Sequence, residues 1–188
     1  MKKDAQSSSR PVAEVMEAES AEFRRRAIAC PSNLSVWTKL YAANQTMLSA
    51  MREQRVSPAL IEICSNLLGC EELAIIEIER TTGAVHFLAE EGLPAERRET
   101  LIRNARSLEP RIEPGNAEIA PAEGKNPASL VSMGISALVP LWADERSSGA
   151  MVLFQLLPQR NGFDTEDREV LQLLSIYAGP CLRSQRRG

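Results

Sequence analysis

Between Leu34 and Arg52, Trp37, Leu40, Tyr41, Met47, Leu48 and Met51 recur at helical spacing, with polar residues on the other side. That period predicts an amphipathic helix. Ser57, with Pro58 in the first helical position, predicts a second helix whose stripe is Leu60, Ile61, Ile63, Cys64, Leu67 and Leu68. Gly69 is placed to end it. The period then changes. Leu73–Ile78 and Val85–Ala89 read as strands, and the turn pair Thr82-Gly83 between them makes a hairpin. Gly92 and Pro94 open a helix over about Ala95–Ser107, with Leu101, Ile102 and Ala105 facing inward. A second hairpin joins Ala137–Trp142 to Ala150–Leu157 through the polar loop Asp144–Ser148. Its return strand, AMVLFQLL, is almost wholly apolar and predicts a central strand covered on both faces. Asp164 caps a final helix that runs to about Leu182, with Asp167 in its first turn. Val170, Leu171, Leu173, Leu174, Tyr177 and Cys181 form its inner face.

The remaining segments carry weaker patterns. Residues 1–11 are Ser- and Lys-rich and predict a disordered tail. Residues 12–31 read as a helical extension whose thin stripe, Val12, Val15, Met16, Phe23 and Ala27, needs a partner. The folded domain is expected over 32–188. Residues 109–134 are rich in proline and glycine and predict a long connection with at most a short strand near Ala117–Ala120. Two hairpins flanked by terminal helices describe an α+β domain with a mostly antiparallel sheet.

The net charge of −3 balances 22 basic against 25 acidic residues, so no overall field favours nucleic acid or an anionic membrane. The arginine clusters at 24–26 and 183–187 read as solvated helix ends. No apolar run approaches the roughly 18–20 residues that span a bilayer, and no apolar signal core follows the polar start, so the expected location is cytoplasmic. The 4 cysteines, Cys30, Cys64, Cys70 and Cys181, make no CxxC pair. A single histidine, His86, cannot complete a His/Cys metal set, so neither a metal nor a cofactor is expected. Cys64 and Cys181 fall in apolar helical stripes, where a free cysteine behaves as a small hydrophobe.

Several of these features coincide with a known pattern. Val139-Pro140-Leu141, the small step Ser148-Gly149-Ala150 into MVLF, then Phe163, Asp167 and an apolar last helix resemble the C-terminal half of a GAF domain. The helix ending at Leu68 and feeding the strand Leu73–Ile78 resembles the start of that family's sheet. The resemblance extends over roughly residues 35–183. It implies a six-stranded, mostly antiparallel sheet with the N- and C-terminal helices packed on one face and a ligand pocket on the other. The helix-first order and the Pro140-Leu141 strand favour this family over PAS and Roadblock-like domains. Cyclic-nucleotide members resemble one another in an Asn-Lys pair followed by Phe and Asp-Glu. Here Asn161-Gly162-Phe163 and Asp167-Arg168 lack the lysine and the glutamate. Bilin-binding members and free-methionine-sulfoxide reductases use cysteines in the middle of the domain, and residues 71–180 contain none.

No nucleophile–base set forms around one histidine and no glycine-rich phosphate loop is present, so no catalytic residue is expected. Strand alternation offers a weak pocket wall of His86, Leu138, Trp142, Leu153 and Gln155. Gln155, polar in an apolar run, needs a partner if buried. The terminal helices carry apolar faces wider than one sheet face requires, which points to a homodimer through Trp37, Leu40, Tyr41, Leu48, Leu174 and Tyr177. The leading expectation is a non-catalytic regulatory module acting through homodimerisation and a signalling protein partner. A small-molecule sensor with residues 109–134 as a lid is the alternative, and a minimal enzyme comes last.

Overall fold

The hairpin Ala137–Leu157 does define the centre of the sheet. The computed structural model describes residues 34–120 and 128–185; the tail and helical extension expected over 1–31, and Cys30, lie outside them. The elements in chain order are α1 (Leu34–Glu53), α2 (Val56–Glu62) with a π-helical turn (Ile63–Leu67), β1 (Cys70–Glu79), β2 (Val85–Glu91) and α3 (Ala95–Leu108). A 3-10 turn (Glu109–Arg111), β3 (Glu118–Ile119), α4 (Ala128–Ser132), β4 (Ala137–Ala143), β5 (Ser147–Leu156) and α5 (Thr165–Gln185) follow. Among the described residues the sheet has five strands rather than six, in the order β2-β1-β5-β4-β3, and all four pairings are antiparallel.

Alternation along the strands divides the core into two layers. Leu73 and Ile75 of β1, Val139 and Leu141 of β4, and Met151 and Leu153 of β5 meet α1, α2 and α5. Ala74, Ile76 and Ile78, Leu138, and Val152 and Phe154 meet α3 and α4 on the other side. The unbroken apolar run of β5 is buried on both faces, as its pattern predicts.

Local details differ from the sequence reading. Ser57 does not cap α2, which starts at Val56 after Gln54 turns the chain at φ 56°. Val56 is fully buried, and seating it in the core moves the helix start forward. Pro58 then falls within the first turn, where a missing N–H costs nothing. Ile102 is 53 % exposed, because the buried stripe of α3 runs Leu101, Ala105, Leu108 at four- and three-residue steps. A bulge between Pro140 and Trp142 turns Leu141 and Trp142 toward the same core. The Trp142 ring covers Gly149, where a Cβ would overlap it. Gly179 sits so close to Leu141 O that a Cβ would overlap that carbonyl, so α5 lies directly against β4. Ser175 Oγ donates to Pro140 O at 2.6 Å in the same contact.

The N-terminus of α5 is held by a buried carboxylate. Asp167 N–H donates to Asp164 Oδ1 at 2.8 Å and Asp164 N–H donates to Asp167 Oδ2 at 3.1 Å, a reciprocal capping box. Asp167, 0 % exposed, also accepts Arg160 Nη2 at 2.5 Å and Lys39 Nζ at 3.1 Å. Arg160 Nη1 in turn donates to Leu68 O at 2.5 Å. One carboxylate therefore connects α5, α1, the β5–α5 loop and the end of the α2 turn.

The surrounding charges titrate accordingly. Partial burial works against Asp164, but the Asp167 N–H, Lys39 and Arg160 hold its carboxyl below 3.8. Hydrogen bonds from Ser35 and Lys39 hold Glu166 below 4.5. Depressed carboxyl values stabilise the fold above their unfolded-state values, and that contribution is lost as pH falls through the folded-state ones. Resistance to urea is expected to fall progressively below pH 4.5, the upper of the two ordinary values. At neutral pH, Asp167→Ala is expected to cost about 3–5 kcal/mol, because it removes the buried carboxylate that Arg160 and Lys39 share. Asp164→Ala removes a cap and two longer, more exposed ion pairs, to Lys39 and Arg160 at 3.5 Å, and is expected to cost about 1–2 kcal/mol. Equal costs in urea titrations would contradict the central role of Asp167.

Candidate functional site

The sheet face opposite the terminal helices is the place to look for a ligand, and it is occupied by the chain itself. Leu101, Ala105 and Leu108 of α3, Ile112, Leu130 of α4 and Met133 just after it close onto Ala74, Ile76, Leu138, Val152 and Phe154. Each of these side chains is at most 8 % exposed. Ile112, Leu130 and Met133 belong to the 109–134 stretch expected to act as a lid, and they act as core plugs instead. The C-terminal end of α3 is tied down by a polar bridge. Ser148, fully buried, donates to Glu109 Oε1 at 3.1 Å and accepts from Arg80 Nε and Nη2 at 3.3 Å. Arg80 Nε also meets Glu109 Oε1 at 2.9 Å.

The structure does not bring the five pocket-wall residues together. His86 is exposed on the edge strand β2, opposite Glu77. Leu153 points to the helix side, while Leu138 pairs with Val152 and points to the α3 side. The β4 bulge places Trp142 on the helix side as well. Gln155 is exposed, and its Nε2 donates to Glu71 Oε2 at 3.3 Å, so it presents no buried polar group.

The helix-face residues divide in two. Leu40, Leu48 and Leu174, all at most 6 % exposed, are part of the chain's own core between α1, α5 and the sheet. Trp37, Tyr41 and Tyr177 keep part of their surface outside it. Nearby, Ile176 is 47 % exposed beside a groove of about 430 Å³ lined by Pro114, Leu141, Trp142, Pro180 and Arg183.

Among the described residues no His/Cys/Asp/Glu group has the arrangement of a metal site, and no helix is long and apolar enough to cross a membrane. Cys64, Cys70 and Cys181 are buried free thiols. Cys64 Sγ contacts Met151 Sδ at 3.3 Å, and Cys181 Sγ contacts Met51 Sδ at 3.4 Å. Burial pushes the Cys70 thiol up to about 12 and that of Cys181 up to about 11, and raises Cys64 as well.

The fold has a solved counterpart. The GAF domain of a protein designated a sensor histidine kinase from Pseudomonas syringae pv. tomato superimposes with a TM-score of 0.50 at 20 % identity, covering 84 % of this chain and 91 % of that one. The chain has a GAF-like fold. A domain of a protein designated a two-component sensor histidine kinase from Sinorhizobium meliloti 1021 aligns at a TM-score of 0.43 and 18 % identity, over 71 % of this chain and 92 % of that one. The fold assignment rests on the first of these. No protein-family model matches the chain, and no curated protein matches it significantly.

In this GAF-like domain the residues that the sequence reading did not single out are Arg97 and Arg160, which border an open cleft at the ends of β4 and β5. Nothing in the local pattern marks either arginine. Glu72 lies on another element and meets Arg97 only in the folded chain, whereas Asp167 follows Arg160 by 7 residues and meets it only once the β5–α5 loop turns back on the helix start.

The buried thiols lead to a direct expectation. In a Cys30→Ser background, a disulfide reagent such as Ellman's reagent is expected to find no accessible thiol in the folded protein at pH 8, and all three once urea unfolds it. Rapid labelling of any of the three in the folded state would contradict this packing.

Proposed function

We propose that this GAF-like domain is a non-catalytic regulatory module that works as a homodimer, joined through α1 and α5, and passes its state to a signalling protein. The observation that carries the reading is the filled α3 face. Where a GAF-like fold could hold a ligand, Leu101, Leu108, Leu130 and Phe154 occupy the space. A surface route is left, and the terminal helices offer one. Trp37, Tyr41 and Tyr177 are aromatic, partly exposed and carried on adjoining helices, the residue type most enriched at interface centres. Absence of a nucleophile–base set supports the non-catalytic half. The similar domain from Pseudomonas syringae pv. tomato belongs to a sensor histidine kinase by its designation, which accords with a signalling role.

A second reading is a small-molecule sensor. It is favoured by the cleft of about 410 Å³ beside Arg97, which falls in the range of ligand sites.

Sedimentation velocity on the full chain tests the leading reading. A dimer is expected at tens of micromolar, and Trp37→Glu with Tyr177→Glu is expected to convert it to a folded monomer, weakening association by about 100-fold or more. A wild-type monomer at about 100 μM would overturn the dimer; at that concentration a stable interface of standard size is populated. Circular dichroism of the double variant verifies that its fold is kept.

A further inference from the structure

The cleft at the ends of β4 and β5 differs from the rest of the surface in how its charge is arranged. Its floor is apolar, built from Ile135, Phe154, Leu156 and Phe163, and Val131 stands at its mouth with 56 % of its surface exposed. The charged side chains among its described lining are Arg97 and Arg160, and no carboxylate lines it. Arg160 is fully committed to Asp167 and Leu68 O. Arg97 is not.

The Arg97 guanidinium lies over the Phe154 ring, 5.1 Å from its centroid. Nη1 donates to Met133 O at 3.3 Å, and Nε meets Glu72 Oε2 at 3.4 Å. These contacts fix the plane of the group. Gly134 gives it room, since a Cβ there would overlap Nη1. Among the described residues no acceptor meets Nη2, and the side chain is 34 % exposed. A planar cation is therefore held by its inner edge and ring face, with a donor left toward an apolar-floored cleft.

We propose that this cleft binds a small organic carboxylate with a flat apolar body, its carboxylate on Arg97 and its body against Leu156 and the exposed Val131 at the mouth. A fixed guanidinium with a free donor suits a carboxylate oxygen. Arg160 is paired with Asp167 and Arg97 Nε with Glu72, so the cleft carries little net charge. One open Nη2 donor suits a monoanion, and a phosphate dianion would find no second cation there. The volume of about 410 Å³ admits a fused-ring acid of modest size. The proposal deepens the sensor reading and does not depend on the dimer.

Amide-detected NMR of the full chain titrated with 2-naphthoate tests it, with 2-naphthamide as the uncharged match. Saturable shifts are expected at the amides of Gly134, Ser136, Phe154 and Gly162, and the amide ligand is expected to bind about tenfold or more weaker. Arg97→Gln is expected to weaken naphthoate by about tenfold or more, and Arg97→Lys by less, because lysine keeps the charge but not the fork. The dispersion of each variant's spectrum reports its fold, and the acid–amide comparison on wild type decides the matter even if a variant unfolds. Equal binding of acid and amide, or an unchanged affinity in a folded Arg97→Gln protein, would overturn the proposal. Shifts confined to the α3 face would overturn the cleft while keeping a sensor. No saturable shift up to about 5 mM would overturn the proposal, since that bound leaves less than about 3 kcal/mol of binding free energy, and the sensor reading would then have to stand on a ligand of other chemistry.

Discussion

The buried carboxylate of Asp167 is the interaction on which the arrangement of helices depends. A lone carboxylate at 0 % exposure would be strongly unfavourable. Here it is surrounded by an arginine, a lysine and a backbone N–H. The same contacts set α1 alongside α5, running in the same direction, since Lys39 meets Asp167 at one end and Met51 meets Cys181 at the other. They also fix the loop that leaves β5, because Arg160 reaches from it to Leu68 O. Close approach of α5 to β4 at Gly179 then completes the helix layer. Apolar burial supplies the driving force for this layer, and the ionic cluster sets its register.

The helix layer saturates one face of the sheet, and the chain saturates the other. On the second face the plugs come from three separate places: α3, the residues just after it, and α4. Their joint burial turns what could be a cavity into a core. Outside these two layers the chain presents the helix surface carrying Trp37, Tyr41 and Tyr177 and the cleft beside Arg97 at the strand ends. The thiols follow the same logic. Cys64 and Cys181 pack against methionines and Cys70 against backbone carbonyls, and burial raises all three in pKa, so they contribute volume rather than reactivity.

Much of this fold was legible in the sequence because it depends on local periodicity. The two hairpins, the central position of β5 and the Asp164 cap all follow from residues close together in the chain. Asp164 was legible as the cap and Asp167 as a first-turn acid, but their reciprocal bonding and the buried ion pair to Lys39, 128 residues from Asp167, were not. The α2 start was misplaced because Ser57-Pro58 is a strong local signal that the burial of Val56 overrides. The pocket wall was misread for a similar reason. Strict alternation puts Trp142 with Leu138, and the bulge after Pro140, a two-strand property, moves it to the other face. Burial also divided the helix stripe: Leu40, Leu48 and Leu174 share their period with Trp37 and Tyr177, and only packing distinguishes core from surface.

The central claim is that the α3 face is core and not a closed pocket. Native-state hydrogen exchange of the full chain measures this most directly, residue by residue. If α3 is core, the amides of Leu101, Ala105 and Leu108 exchange as slowly as those of Ile75 and Ile76 in β1, through global unfolding alone. Exchange of α3 about a thousandfold or more faster than β1 would mean that the helix opens on its own, at a cost about 4 kcal/mol or more below that of global unfolding. That result would contradict the account and restore a ligand cavity beneath the helix.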